Sequence, residues 1–454
     1  MKFASFVFLC TTGLVAMARL TLAANPPLPA RMHSIPSDKA EAAFAEAHAL
    51  CTADGGKLWG NSLCVPMMFV DAATRQAVLN QTARGAVKDG TIYRLALPPD
   101  IGIANTSLEF QGKRWSMVMW PLPKNAAWRG ILLMHESYHS IQPALGLQGN
   151  GGLGKNAELD SREGRIWMRA ELAALRAALL TSGQPRKRAL IDALLFRVYR
   201  MSLWPHAAAD ERSLELNEGL AESTGIDVSQ HSLGARIDAA IHDIDNVEKE
   251  RSFVRSFAYA TGAAYAELLD AVQPDWRRKV TPGFAFGKAA AGAYHLAMPK
   301  PEKSLALAAV EKYGGKRIIA QEDARAKATA ARNARFARAL VDGPTLTLPL
   351  GKFSISFDPR QVYSLPGHGS VYQTLTLGDA WGKLDVRGDG MALIPSNFGS
   401  VTVPLDKTPA GMQLAGKGWS LTLKKGYGVQ PEPHQEGSFV VTRQTLSKSH
   451  AGHP

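Results

Sequence analysis

An α+β fold is predicted for this 454-residue chain, with a β-rich N-terminal layer, a mainly helical middle and a small all-β C-terminal domain. Three observations predict it. Short apolar runs alternate with turn signals before Pro123, and apolar residues then recur at helical spacing as far as Leu340. At Val341-Asp342-Gly343-Pro344 the composition shifts and strand alternation resumes. A chain of this length is expected to hold two or three domains. Its 46% hydrophobic and 20% charged residues exclude a disordered or coiled-coil class.

Residues 1–24 read as a secretory signal. Lys2 gives a positive start, Phe3 to Ala18 are apolar, and the small pair Ala23-Ala24 follows, with Ala16-Met17-Ala18 as a competing cleavage site. The expected location is therefore outside the cytoplasm, periplasmic or secreted. Removing the segment takes away Lys2 and Arg19 and no acid, so the net charge falls from +12 to +10. Such a balance allows association with anionic envelope surfaces, although a solvated basic surface is the simpler expectation. No later stretch is long and apolar enough for stable membrane insertion, and no zinc-finger spacing or RNP string points to nucleic acid. Cys10 lies inside the signal. Cys51 and Cys64 remain, with Gly55-Gly56 and Gly60-Asn61 between them, and could close a short loop as a disulfide in an oxidising compartment.

Residues 25–130 form the β-rich part. The prolines at 26, 27, 29 and 36 predict an extended leader, and Asp38 to Leu50 a helix. Cys64 to Val70 and Tyr93 to Leu97 are candidate strands, and Leu108–Phe110 and Trp115–Trp120 flank a hairpin turn at Gln111-Gly112-Lys113. Residues 131–340 form the helical region. Its first helix should stop near Pro143, before a glycine-rich connector from Gly146 to Gly154. Helices are then expected over Glu163–Leu180 and Ala189–Met201, separated by Gly183-Gln184-Pro185, and over Ile237–Arg255, Ser256–Ala271 and Glu302–Leu340, the last broken at Gly314-Gly315. The Ala, Arg and Lys content from Ala324 to Arg338 suggests a solvated helix. Residues 341–447 alternate like strands and predict a small sandwich or barrel, in which His368 and His434 read as exposed loop residues; 448–454 read as a disordered tail.

The chemistry concentrates in His135-Glu136-Ser137-Tyr138-His139, preceded by the apolar run Ile131–Met134. Residues four apart share a helix face, so two imidazoles can serve one metal ion, and Glu136 is placed as general base. This is the HExxH arrangement of zinc metallopeptidases. A catalytic zinc takes three protein ligands and leaves a position for water, so a third ligand is needed. His206, His231, His242 and His295 read as surface residues, His242 lying with Asp243 and Asp245 on a charged helix face.

The third ligand comes from a resemblance. Asn217-Glu218-Gly219-Leu220-Ala221 resembles the Asn-Glu-Gly-x-Ala string of gluzincin metallopeptidases of the aminopeptidase-N and thermolysin-like kind. The resemblance implies a zincin-like catalytic region, with His135, His139 and Glu218 as zinc ligands, Glu136 as base and a peptide or protein as substrate. It also implies that Glu222, one turn beyond Glu218, holds a ligand histidine by its other ring nitrogen. Tyr259-Ala260-Thr261-Gly262 is similar to the Tyr-x-x-Gly of the same enzymes, which implies that Tyr259 bonds the tetrahedral intermediate; Tyr265 lies nearby. Two features depart from the pattern. The 78 residues between His139 and Glu218 form a long insertion, expected to sit as a subdomain beside the cleft. The Gly-x-Met-Glu-Asn string that captures a substrate amino terminus is absent, so aminopeptidase specificity is not carried over. The rival class is a binding or envelope-assembly protein with an idle zinc fold.

Overall fold

The structure is a computed structural model and describes residues 35–147 and 156–444. The expected signal segment, the C-terminal tail and most of the glycine-rich connector lie outside the described residues. The chain forms two compact units, which divide between Asp323 and Ala324. Helix and sheet are both extensive, so the fold is α+β.

The first unit opens with α1 (Ser37–Asp54). It ends at Gly55, whose left-handed conformation (φ +58°) lets its N–H reach the Cys51 carbonyl. The helix runs four residues past the expected Leu50 because Cys51 continues the buried stripe of Ala40, Ala43, Phe44 and Ala47. Cys51 is disulfide-bonded to Cys64, which ties the end of α1 to the segment entering the sheet. Replacing both cysteines by alanine should lower the unfolding free energy by about 3 kcal/mol, the chain-entropy value for a loop of this size. A urea midpoint that does not move would show that the bridge constrains nothing.

Six strands follow: β1 (Met67–Asp71), β2 (Gln76–Leu79), β3 (Val87–Asp89), β4 (Ile92–Ala96), β5 (Thr106–Phe110) and β6 (Lys113–Trp120). Among the described residues they make one sheet in the order β3-β4-β2-β1-β6-β5, antiparallel except for the parallel β1–β6 pair. The β5–β6 hairpin turns at Gln111 and Gly112, both with positive φ (52° and 76°), which suits a two-residue turn. β2 and β3 escaped the sequence reading, being only four and three residues long.

The helices are α2 (Ala126–Ile141), α3 (Arg162–Leu179), α4 (Gly183–Ser202), α5 (Ala207–Leu214), α6 (Leu220–Ser229), α7 (Leu233–Lys249), α8 (Phe257–Asp270), α9 (Phe286–Ala293), α10 (Lys303–Val310) and α11 (Gly315–Ala337). α2 starts at Asn125, whose side chain accepts from the Trp128 N–H, and ends two residues before Pro143. Every residue from Gly130 to Tyr138 is buried, which marks a central helix and not a surface one. It lies between the sheet and α6. The α2–α6 approach is close enough that a Cβ on Gly225 would come within 2.5 Å of the Ile131 carbonyl oxygen.

The second unit contains twelve strands among the described residues, in sheets of seven and five. Leu346, Leu348, Ile394 and Val401 of the larger sheet share one core with Leu377, Leu384, Trp419 and Leu421 of the smaller, as in a sandwich. His368 and His434 are exposed.

Candidate metal centre

Three elements build the centre: α2, a π-helical turn at Glu215–Gly219 that links α5 to α6, and the first turn of α8. π-turns are rare and mark places where a helix is re-aimed. Here the turn carries Glu218, while Glu222 follows on α6. Both carboxylates reach α2. Glu222 Oε2 lies 2.7 Å from His135 Nδ1, and Glu218 Oε2 lies 3.6 and 3.7 Å from Nε2 of His135 and His139.

Both imidazoles are oriented from behind. His135 Nδ1 donates to Glu222, and His139 Nδ1 donates to Gln142 Oε1 at 3.0 Å. Gln142 is itself fixed, its amide donating to the carbonyls of Leu147 and Leu216. With the proton on Nδ1 in each ring, both Nε2 lone pairs face inward, 3.1 Å apart. The ligand atoms of His135, His139 and Glu218 all lie within 4.8 Å of one another.

Two lone pairs and a carboxylate oxygen converging in a buried space call for positive charge. The ionisation behaviour agrees. Burial opposes a charged His135, yet the carboxylates of Glu218 and Glu222 overcome it and raise its pKa well above the usual value; His139 is raised for the same kind of reason. Glu218 is driven the other way: burial would raise it, but the two histidines hold it well below the ordinary carboxylate range. Glu136 is pushed up by burial, partly offset by the two imidazoles, and its Oε2 is a buried oxygen without a hydrogen-bond partner. A cation with a water beside Glu136 would satisfy every one of these groups, so the donor set fits a divalent metal with nitrogen and oxygen ligands.

Tyr259 donates to Glu218 Oε2 at 2.6 Å, and its ring stacks on His135 at 5.5 Å. Tyr265 instead donates to Glu171 at 2.9 Å, away from the imidazoles. Two glycines explain how Tyr259 arrives there. A Cβ on Gly262 would stand 2.2 Å from the Gly219 Cα, so α8 and the π-turn touch backbone to backbone. The glycines of the two strings are thus one contact, which brings Tyr259 to Glu218.

The inserted helices were expected as a subdomain beside the cleft, but α3 and α4 share the main core with α8. They also carry a buried ion network. Arg197 on α4 donates to Glu171 (2.9 Å) and to Glu215, and Arg200 bridges Glu171 (2.6 Å) and Glu211 (2.9 and 2.6 Å). Thr261 on α8 donates to the other oxygen of Glu215 at 2.7 Å. Both oxygens of Glu215, the first residue of the π-turn, are therefore held from outside it, which fixes the turn three residues before Glu218.

Besides Gln142, sequence reasoning missed three residues here. Arg255 donates to Glu218 Oε1 at 2.8 Å and Asn217 to the same oxygen at 3.1 Å. Asp243, read as part of a charged face, lies against Glu222, and burial together with that carboxylate pushes its pKa well up. No local pattern reveals it, because its partner lies on a different helix. Of the other histidines, His242 stacks on Trp128 at 4.1 Å, His231 and His295 are exposed, and His206 lies 3.5 Å from Glu158. Two further groups of possible ligands carry none of this logic. In one, Cys51 and Cys64 are consumed by the disulfide beside His48. In the other, Asp227, Glu267 and Asp270 are engaged by Arg236 and Arg277.

No family model, curated protein or solved structure matches the chain.

Proposed function

We propose that this chain is an exported zinc-dependent metallopeptidase with a zincin-like catalytic region of the gluzincin kind, hydrolysing peptide bonds in peptide or protein substrates. One observation carries the reading. Two imidazoles with their Nδ1 atoms already committed aim Nε2 at a buried carboxylate, beside a second buried carboxylate with one oxygen that has no hydrogen-bond partner. His135, His139 and Glu218 would hold the zinc. When bound, zinc lowers the pKa of water to about 7 and polarises the scissile carbonyl.

The chain's own groups do the rest. Glu136 accepts a proton from the attacking water as its oxygen bonds to the carbonyl carbon, and delivers that proton to the leaving nitrogen when the C–N bond breaks. Its raised pKa suits a group that must both take and give a proton near neutrality. Tyr259 holds its phenol O–H against the Glu218 oxygen that faces the imidazoles, and from there it would serve as a donor to the oxyanion on the substrate carbonyl. Glu222 and Gln142 keep the rings in the required tautomer. The Cys51–Cys64 bridge supports an oxidising compartment. No helix among the described residues is long and apolar enough to cross a membrane.

Tyr259→Phe should lower kcat by about 10²- to 10³-fold with little change in KM, the size seen when one oxyanion donor is lost. An unchanged kcat would make the tyrosine a packing residue. The reading as a whole is tested by chelation. Stripping metal from the full-length protein should abolish cleavage of a mixed peptide library, and one equivalent of zinc should restore it. Stoichiometric zinc with no cleavage of any peptide would instead indicate an idle zinc-fold protein that binds or assembles.

A further inference from the structure

The two oxygens of Glu218 have different surroundings. Oε2 faces the imidazoles and Tyr259, while Oε1 accepts from Asn217 and Arg255. Arg255 is also unlike its neighbours in exposure. Its side chain is 42% exposed, against 6% for Glu218 and 5% for His135, so it stands on the solvent side of the centre.

We propose that Arg255 reads a carboxylate on the substrate next to the scissile bond, which makes the free C-terminus of a peptide the preferred end. This rests on the metallopeptidase reading above. A guanidinium has five N–H donors in a planar fork matched to carboxylate. Among the described residues, Arg255 makes its hydrogen bonds to Glu218 alone, through one nitrogen, and the exposed side chain leaves donors for a ligand. Distance fits as well. The guanidinium lies one hydrogen bond and one carboxylate width, about 5 Å, from the oxygen that faces the imidazoles. One residue of extended chain advances about 3.5 Å, so the carboxylate of a C-terminal residue just beyond the cleaved bond falls within reach. Charge fits too: the guanidinium of Arg255 is in ion-pair contact with Glu218 at 2.8 Å and faces solvent on its other side. A cation on Oε2 would weaken the hold of Glu218 on Arg255 and leave the guanidinium to an incoming anion.

The test separates this from the underlying reading. Full-length Glu136→Gln protein, its zinc content measured on the same sample, is titrated calorimetrically with one peptide as its free acid and as its C-terminal amide. The acid should bind about 10- to 100-fold more tightly. Adding Arg255→Met should bring the acid down to the affinity of the amide, and Arg255→Lys should restore part of the difference. With active protein, kcat/KM should show the same acid preference and the same loss. Equal binding of acid and amide by zinc-loaded protein overturns the proposal and leaves the metallopeptidase reading standing. A preference that survives in Arg255→Met overturns the role of Arg255. Absence of zinc overturns the reading beneath both.

Discussion

Glu136→Gln should reduce kcat by about 10²- to 10⁴-fold while the protein keeps its zinc, because the substitution removes a proton acceptor and changes no ligand. Glutamine has nearly the same volume, so α2 and the positions of His135 and His139 should not shift. Nor should the fold suffer. Burial already penalises the Glu136 charge, and its Oε2 has no partner to lose, so a neutral amide relieves a cost. The checks are peptide turnover, metal content and a urea midpoint on the same preparation. Retained turnover would remove Glu136 from the role of base. Loss of zinc together with activity would show that Glu136 holds the metal.

Gly262→Ala should have the largest effect of any single methyl group near the centre. Its Cβ would lie 2.2 Å from the Gly219 Cα and 2.8 Å from the Gly219 carbonyl carbon and oxygen, all backbone atoms that cannot rotate away. α8 and the π-turn must then part. Overpacking of this kind costs roughly 1–3 kcal/mol and sometimes more, and here it also separates Tyr259 and Thr261 from Glu218 and Glu215. Zinc affinity should fall with stability. Gly219→Ala is the milder partner, since its Cβ would meet its nearest neighbours at 3.1 Å. The comparison is read from urea unfolding and zinc titration of both variants. A Gly262→Ala protein as stable as the parent would mean that the two backbones are not pressed together.

What could be read from the linear chain was mostly local. The spacing of His135 and His139 needs only one helix, and Pro143 marks where that helix stops. The β5–β6 hairpin is written in Gln111-Gly112, and the two β-rich regions and the helical middle are visible as changes of period. The centre's remaining parts depend on residues brought together from afar. Glu218 and Tyr259 were reached only through short strings whose glycines turn out to touch, a contact across 43 positions that no local pattern encodes. The π-turn was invisible because Glu215–Gly219 has ordinary helical composition. The network of Glu171, Arg197, Arg200, Glu211 and Glu215 has no local signature, since charged residues on helices are ordinarily exposed and these side chains are buried in the core. Arg255 and Asp243 failed to stand out for the same reason. Their significance lies in the partner each meets, Glu218 for one and Glu222 for the other. The strand orders of the C-terminal sheets are equally non-local, with the strand Thr345–Pro349 pairing both Ser400–Pro404 and Phe439–Arg443.

The most direct measurement is X-ray absorption at the zinc edge of the full-length protein, with metal content determined on the same sample and on Glu218→Ala. One zinc per chain is predicted, with two imidazole nitrogens and oxygen donors at about 2.0–2.2 Å, and weaker zinc binding in the variant. A chain that retains no zinc, or a zinc whose shell holds fewer than two imidazoles, would contradict the account.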